Sequence, residues 1–292
     1  MTAAAPAAVS VPLRKRASPW RFVRKYPAVV FGLAFLLAMS LAAALAPWIA
    51  PFDPIAINPV DRLQPPSAQH LFGTDAYGRD VFSRTLHGGR VSLVVGLVVA
   101  LLTTGVGLAI GLLSGYVRAI DAVVMRVMDG IMAIPGVLLA IAIMALTRGS
   151  VLTVIIAIAI PEIPRMVRVV RSVVFTIREQ PYMEAAIATG TRFHVILWRH
   201  VLPNALAPVI VQATFVFASA VILEAYLSFL GAGTPPENAS WGNIMAEARS
   251  LVHLAIWVIL FPGCFLGVMV LSINMLGDGL RDLFDPRTSR RR

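Results

Sequence analysis

Apolar residues run in six blocks long enough to cross a bilayer, separated by polar connections. A spanning helix needs about 20 mostly apolar residues, because the hydrocarbon core is roughly 30 Å thick and a helix rises about 1.5 Å per residue. The first block, Ala28 to Ala50, and the second, Val91 to Tyr116, carry no charge. The second also holds Gly96, Gly105, Gly107, Gly111 and Gly115, small residues that let helix backbones approach closely in lipid. The third, Ala122 to Leu146, contains Arg126 and Asp129 near its start and is expected to kink at Pro135. The fourth begins at Val151, but its uncharged run ends at Pro161, so it must continue through Glu162, Pro164 and Arg165. The fifth, Ala205 to Leu230, contains Glu224, and the sixth, Leu251 to Gly277, contains His253. The expected fold is an all-α integral membrane bundle of six transmembrane helices. A cleaved signal peptide ending near Ala42–Ala44 is the alternative for the first block. That block is longer than the roughly 7 to 15 apolar residues of a signal core, and 27 residues precede it, so it reads as a retained anchor.

Composition agrees with lipid as the main solvent: 58% of residues are hydrophobic and 14% charged, against about 25% charged in a soluble domain. The net charge of +10 raises the question of nucleic acid, and the placement of the basic residues answers it. With the N-terminus inside, nineteen of the 25 Lys and Arg fall in the two tails and in the second-to-third and fourth-to-fifth connections, and six fall outside. Basic loops resist translocation, so both ends are expected in the cytoplasm, and no nucleic-acid stripe remains to explain. The division that follows is a cytoplasmic tail (1–27), a first transmembrane helix (28–50), an extracytoplasmic loop (51–90), a five-helix core (91–280) and a basic tail (281–292). Cys264 lies in an apolar block, reads as a small buried hydrophobe, and leaves no partner for a disulfide or a cysteine metal site.

A carboxylate at mid-bilayer costs about 2.5 to 3.5 kcal/mol, so Asp129, Glu162 and Glu224 should face protein or water. Each is a candidate translocation-pathway residue, with a structural ion pair or a headgroup position as the alternative. Pro161 and Pro164 free the carbonyls of Ala157 and Ile160, which are tolerated only against protein or a wet pathway.

The connection from Arg165 to Asn204 has a specific pattern. Pro181 suits the first turn of a helix, and Gly190 suits the left-handed residue that ends one. Between them lie Tyr182 to Thr189, and a second helical stretch, Phe193 to Leu202, is expected to stop at Pro203, where the next span begins. Glu184, Ala185 and Ala186, then Gly190, then Leu202 and Pro203 resemble, in type and spacing, the cytoplasmic signature of the transmembrane subunits of ABC importers. His200 stands where that signature has Ile, and a packing or surface role is expected for it. Further similarity lies in Gly73-Thr74-Asp75, Gly78-Arg79-Asp80, Ser83-Arg84 and Gly88 to Leu93. It continues in Leu227 to Gly231, Ser240-Trp241-Gly242-Asn243, Leu276 to Asp282 and Asp285-Pro286-Arg287. The chain is similar to the dipeptide, oligopeptide and nickel permeases, and most to the C-type subunit of dipeptide systems.

That resemblance implies a type I importer permease fold in the bacterial cytoplasmic membrane, with Glu184, Ala185, Ala186, Gly190, Leu202 and Pro203 coupling it to a motor. It also implies a paralogous permease as heterodimer partner, two ATP-binding subunits and an extracytoplasmic solute-binding protein. The chain's only lysines, Lys15 and Lys25, sit in no phosphate-binding loop, so ATP and Mg are expected in the partner ATPases and no cofactor in this chain. Asp75 with Arg79 and Asp80 with Arg84 are four apart, acid first, which predicts a short exposed helix; these four are candidate binding-protein contacts. Dipeptides are the expected solute, with nickel chelate, haem or glutathione as alternatives. An ion-coupled secondary transporter using Glu162 or Glu224 is the rival from another class. A membrane enzyme lacks any His-Glu-x-x-His, Gly-x-Ser-x-Gly or metal-ligand cluster to support it.

Overall fold

A computed structural model describes residues 26–147, 149–235 and 237–284. The basic residues of the N-terminal tail, Arg148 and residues 285–292 lie outside the described residues, and so does their part in the charge asymmetry.

Helix α1, Pro27–Ala44, has proline in its first turn, where the missing N–H costs nothing, and continues as a single turn, Ala46–Ile49. Helix α2, Val81–Tyr116, starts well before the expected Val91 because the Asp80 side chain caps it, accepting from the Ser83 N–H. Helices α3, Arg118–Met132, and α4, Gly136–Leu146, are separated at residues 133–135 by a bend of 86°. Pro135 makes the break complete rather than a kink, since it lacks an N–H and disfavours helical backbone before it. Helix α5, Val151–Arg178, opens with a reciprocal cap between Ser150 and Thr153 and runs unbroken through Pro161 and Pro164. Next come α6, Pro181–Ala188, and α7, Phe193–Phe229. The expected stop at Pro203 is absent. A widened π turn, Ile196–Val201, precedes the proline, and the Asn204 side-chain amide donates to the His200 carbonyl at 2.7 Å, so the chain absorbs Pro203 without ending the helix. A short α8, Trp241–Glu247, and a long α9, Trp257–Phe284, complete the described chain. The stretch before α9, where Leu251 was expected to open the span, holds a 3-10 turn, Arg249–Leu251.

By length and composition α1, α2, α7 and α9 can cross a membrane, and the bent pair α3–α4 makes a fifth span. Helix α5, at 28 residues, is long enough but carries Glu162, Arg165, Arg168 and Arg171. Among the described residues the protein is thus an all-helical, multi-pass membrane chain with four to five helices that pass as spans by length and composition, which leaves the expected six not fully confirmed. Among the described residues there is no strand, only one isolated bridge between Thr74 and Asp80.

Helix α2 packs most extensively against α5 and then α7, while α9 packs against α1 and α7. The α2–α5 contact is close because glycines line it: a Cβ on Gly107, Gly111 or Gly115 would lie 2.5–2.7 Å from Met166, Val170 or Val174. One apolar cluster, with Val95, Val99, Ile158, Val216 and Leu227, fills the middle of the bundle. A second, with Met166, Val170, Val174, Met183, Ile196 and Val201, fills the end that bears α6. Outward positions such as Leu33, Leu37, Leu41, Leu138 and Leu146 are apolar and exposed, as lipid-facing surface requires.

Candidate functional site

The α6 hairpin forms as its local signals dictate. Pro181 occupies the first turn, and Gly190 adopts φ +73°. The Gly190 N–H donates to the Ile187 carbonyl at 2.9 Å and the Thr191 N–H to the Ala186 carbonyl at 3.1 Å. That pair of bonds closes the helix and turns the chain sharply back. Met183 is fully buried among Val174, Ile177, Ile196 and Val201, so one side of α6 is pinned to the bundle. Glu184, Ala185, Ile187 and Ala188 are exposed and Ala186 is half-buried. Leu202 is half-buried and Pro203 exposed, on α7 beyond the π turn. His200 meets Tyr182, with ring centroids 6.2 Å apart. The outward face of α6 therefore offers small side chains and a free-standing carboxylate, a surface that another protein's backbone can approach closely.

Residues that the sequence did not flag make this end rigid. Arg178 Nη1 donates to the Gly115 and Tyr116 carbonyls at 3.0 and 3.2 Å, tying the end of α5 to the end of α2; a cation there also complements the helix dipole. Its guanidinium lies over the Tyr116 ring, and Tyr116 packs edge-on against Phe193 at the start of α7. Three helix ends thus meet beside α6.

At the other end, the expected exposed helix over Asp75 to Arg84 is not there. Residues 74–80 form a turn closed by the Thr74–Asp80 bridge, and Asp75, Asp80 and Arg84 are buried. The Asp75–Arg79 pair forms, with Nε to Oδ2 at 2.7 Å. The Asp80–Arg84 pair does not. Asp80 instead accepts from Ser83 and pairs with His70 Nδ1 at 2.9 Å, while Arg84 Nη1 bonds Asp75 and, at 2.7 Å, Glu247 of α8. Arg79 also reaches Glu247. The physical reason is tertiary: Glu247 arrives from far along the chain and supplies a second acid, so Arg84 turns inward rather than along its own helix. Trp257 Nε1 to the Thr74 carbonyl (3.1 Å) and Trp241 Nε1 to the Thr85 carbonyl (2.9 Å) complete the outer assembly.

The three membrane carboxylates do not converge on one site. Glu224, fully buried, accepts from Ser92 Oγ at 2.7 Å and Ser228 Oγ at 2.9 Å, tying α7 to α2 within the subunit. Asn243 secures the adjoining loop by donating to Thr234 and the Pro235 and Asn238 carbonyls. Glu162, buried on α5, accepts from Ser219 Oγ at 3.2 Å and pairs with Arg165 at 3.3 Å. Asp129 is exposed and pairs with Arg168 at 2.6 Å. Among the described residues no group of three or more His, Cys, Asp or Glu could hold a metal ion.

Comparison with known proteins matches this architecture. The family model described as "binding-protein-dependent transport system inner membrane component" matches residues 107–290. A second, "N-terminal TM domain of oligopeptide transport permease C", matches residues 16–66. A probable peptide ABC transporter permease protein of Sinorhizobium fredii is 50% identical over 272 residues, 93% of each chain. A dipeptide transport system permease protein of Alkalihalophilus pseudofirmus is 42% identical over 275 residues, 92% of this chain and 90% of that one. A probable D,D-dipeptide transport system permease protein of Escherichia coli is 40% identical over 264 residues, 89% and 88% respectively. With a long apolar bundle, a short exposed helix at one end and these matches along nearly its whole length, the chain belongs to the inner membrane components of binding-protein-dependent transport systems, a family of ABC transporter permease subunits.

Proposed function

We propose that this protein is the permease subunit of an ATP-driven importer of short peptides, dipeptides foremost, and that α6 is the lever through which a separate ATPase works it. The observation that carries this reading is the α6 hairpin, pinned by Met183, capped by Gly190 and exposing Glu184 and Ala185. In this reading Ala185 and Ala186 allow close approach of the ATPase, Glu184 anchors it, and Leu202 and Pro203 seat the following helix. The end bearing α6 faces the cytoplasm with both termini, in keeping with the distribution of Lys and Arg. The working complex adds a paralogous permease, two ATPases that bind ATP and Mg, and an external solute-binding protein. The loop at 51–80 would receive the binding protein through exposed Ile55, Ile57 and Val60, with Asp75, Arg79, Asp80 and Arg84 as the frame beneath. Peptide as solute is supported by the names of the relatives.

Uptake of a labelled dipeptide by cells carrying the complete system tests this. Uptake is expected to survive an uncoupler that collapses the proton gradient and to stop when ATP is depleted. Uptake that follows the proton gradient and ignores ATP would favour an ion-coupled carrier and reject the proposal.

A further inference from the structure

The six exposed positions of α5 change character halfway along: first Leu152 and Ile156, then Arg165, Arg168, Ser172 and Thr176. The last four recur at spacings of three and four residues, so they form one stripe on one face of the helix. All other residues of α5 are buried or half-buried. At about 1.5 Å per residue α5 is roughly 42 Å long, longer than a hydrocarbon core of about 30 Å, and Arg165 lies at its midpoint, about 21 Å from its start. A charge facing lipid there costs about 2.5 to 3.5 kcal/mol. Arginines near a membrane surface escape that cost by reaching out to the headgroups. Arg165 does the reverse. Its Nη1 bends back toward the start of the helix, to both oxygens of Glu162 at 3.3 and 3.4 Å, although its side chain is 58% exposed and that of Glu162 only 6%. Arg168, pairing with Asp129 of α3, leaves both side chains about half exposed, at 46% and 58%. Next to the stripe lies a mostly apolar groove of about 450 Å³, lined by Val169, Val211 and Phe215 together with Gln212 of α7 and Arg281 of α9. Side chains as charged and exposed as Arg165, Arg168 and Asp129 are ill suited to lipid as a solvent.

We propose that the stripe Arg165–Arg168–Ser172–Thr176, with Asp129, is a wall of the water-filled solute path that forms against the second permease. The proposal deepens, and rests on, the transport reading above. Glu162, Arg165, Asp129 and Arg168 together carry no net charge, and each base is matched by an acid. Such a wall passes a hydrated solute bearing charges of both signs without trapping either, and Ser172 and Thr176 keep the way narrow-walled and polar toward the ATPase end.

The test uses the complete complex in inside-out membranes, with Cys264→Ser as background and single substitutions Leu152→Cys, Ile156→Cys, Arg165→Cys, Met166→Cys, Arg168→Cys, Val170→Cys, Ser172→Cys, Val174→Cys and Thr176→Cys. Each is treated with a charged, membrane-impermeant methanethiosulfonate. Labelling at 165, 168, 172 and 176 is expected to be at least about tenfold faster than at the other five, since reaching those means entering hydrocarbon or core at a cost of about 2.5–3.5 kcal/mol. If Arg165→Cys does not assemble, Arg168→Cys supplies the deep position. Labelling that stops at 172, or reaction of the stripe only with an uncharged maleimide, overturns the proposal, as does a stripe inert to both because the second permease covers it. ATP-driven uptake by the Cys264→Ser complex is measured alongside; if it persists while the stripe fails, the wall is wrong and the transport reading stands.

Discussion

Gly111→Leu is expected to abolish accumulation of the folded subunit, whereas Gly105→Leu on the same helix leaves it unchanged. A Cβ at Gly111 would lie 2.6 Å from Val170 Cβ and 3.0 Å from the Val167 carbonyl oxygen, while one at Gly105 meets nothing within 4 Å. Overpacking a fixed contact costs about 1–3 kcal/mol or more, and here relief requires α5 to move off α2 along the line shared by Gly107 and Gly115. Gly105 is exposed, and leucine there gains up to about 1 kcal/mol in helix propensity. The yield of monodisperse complex by size-exclusion chromatography reads the difference. Equal yields of the two variants would mean that the glycine-lined contact does not hold the bundle together.

The second large effect is at the outer end. Arg84→Ala removes one of the two cations that bridge Asp75 and Glu247 and leaves Arg79 as the other. Removing one member of a buried pair costs up to about 3–5 kcal/mol when the remaining charge is left unpaired; here Arg79 still reaches both acids, so the loss is expected to be smaller. The thermal midpoint of the purified complex is expected to fall, and protease to cut within 51–80. The quadruple change Asp75→Asn, Arg79→Met, Arg84→Met, Glu247→Gln removes the charges together and is expected to recover much of the loss, since replacing a whole buried network by neutral groups is often close to neutral. An Arg84→Ala complex as heat-stable as the parent would show that the network does not hold the outer loop.

Sequence alone carried the α6 hairpin to the residue, because its determinants are local. Proline needs no N–H at a helix start, glycine tolerates φ of +73° at the end, and both signals sit within ten positions. The glycines of α2 were legible as points of close helix approach, which holds for Gly96 against α7 and for Gly107, Gly111 and Gly115 against α5 but not for the exposed Gly105. What was not legible depended on partners distant in the chain. Asp80 looked like a partner for Arg84 because the two are four apart; only the fold brings His70 to one and Glu247 to the other. The signal that could have corrected this was present in Asp80 and Ser83, an N-cap pair that starts a helix at Val81. Prolines misled in both directions. Pro135 breaks its helix where only a kink was expected, and Pro203, expected to stop one, is passed by way of a π turn beside the Asn204 amide; the pair in α5 is crossed, as expected. Helix α5 was the hardest element to place because its composition serves two surroundings, an apolar face against α2 and α7 and a charged face that is open in the single subunit.

The transport reading depends on α6 seating in an ATPase. In the complete complex with Cys264→Ser, Ala185→Cys is placed on the exposed face of α6 and Ala68→Cys on the exposed outer loop, and each is treated with a short thiol-to-amine cross-linker. Ala185→Cys is expected to give a covalent adduct with the ATPase subunit whose yield changes when ATP is trapped with vanadate, and Ala68→Cys to give none. No ATPase adduct from Ala185→Cys, in a complex that still imports solute, would contradict the lever.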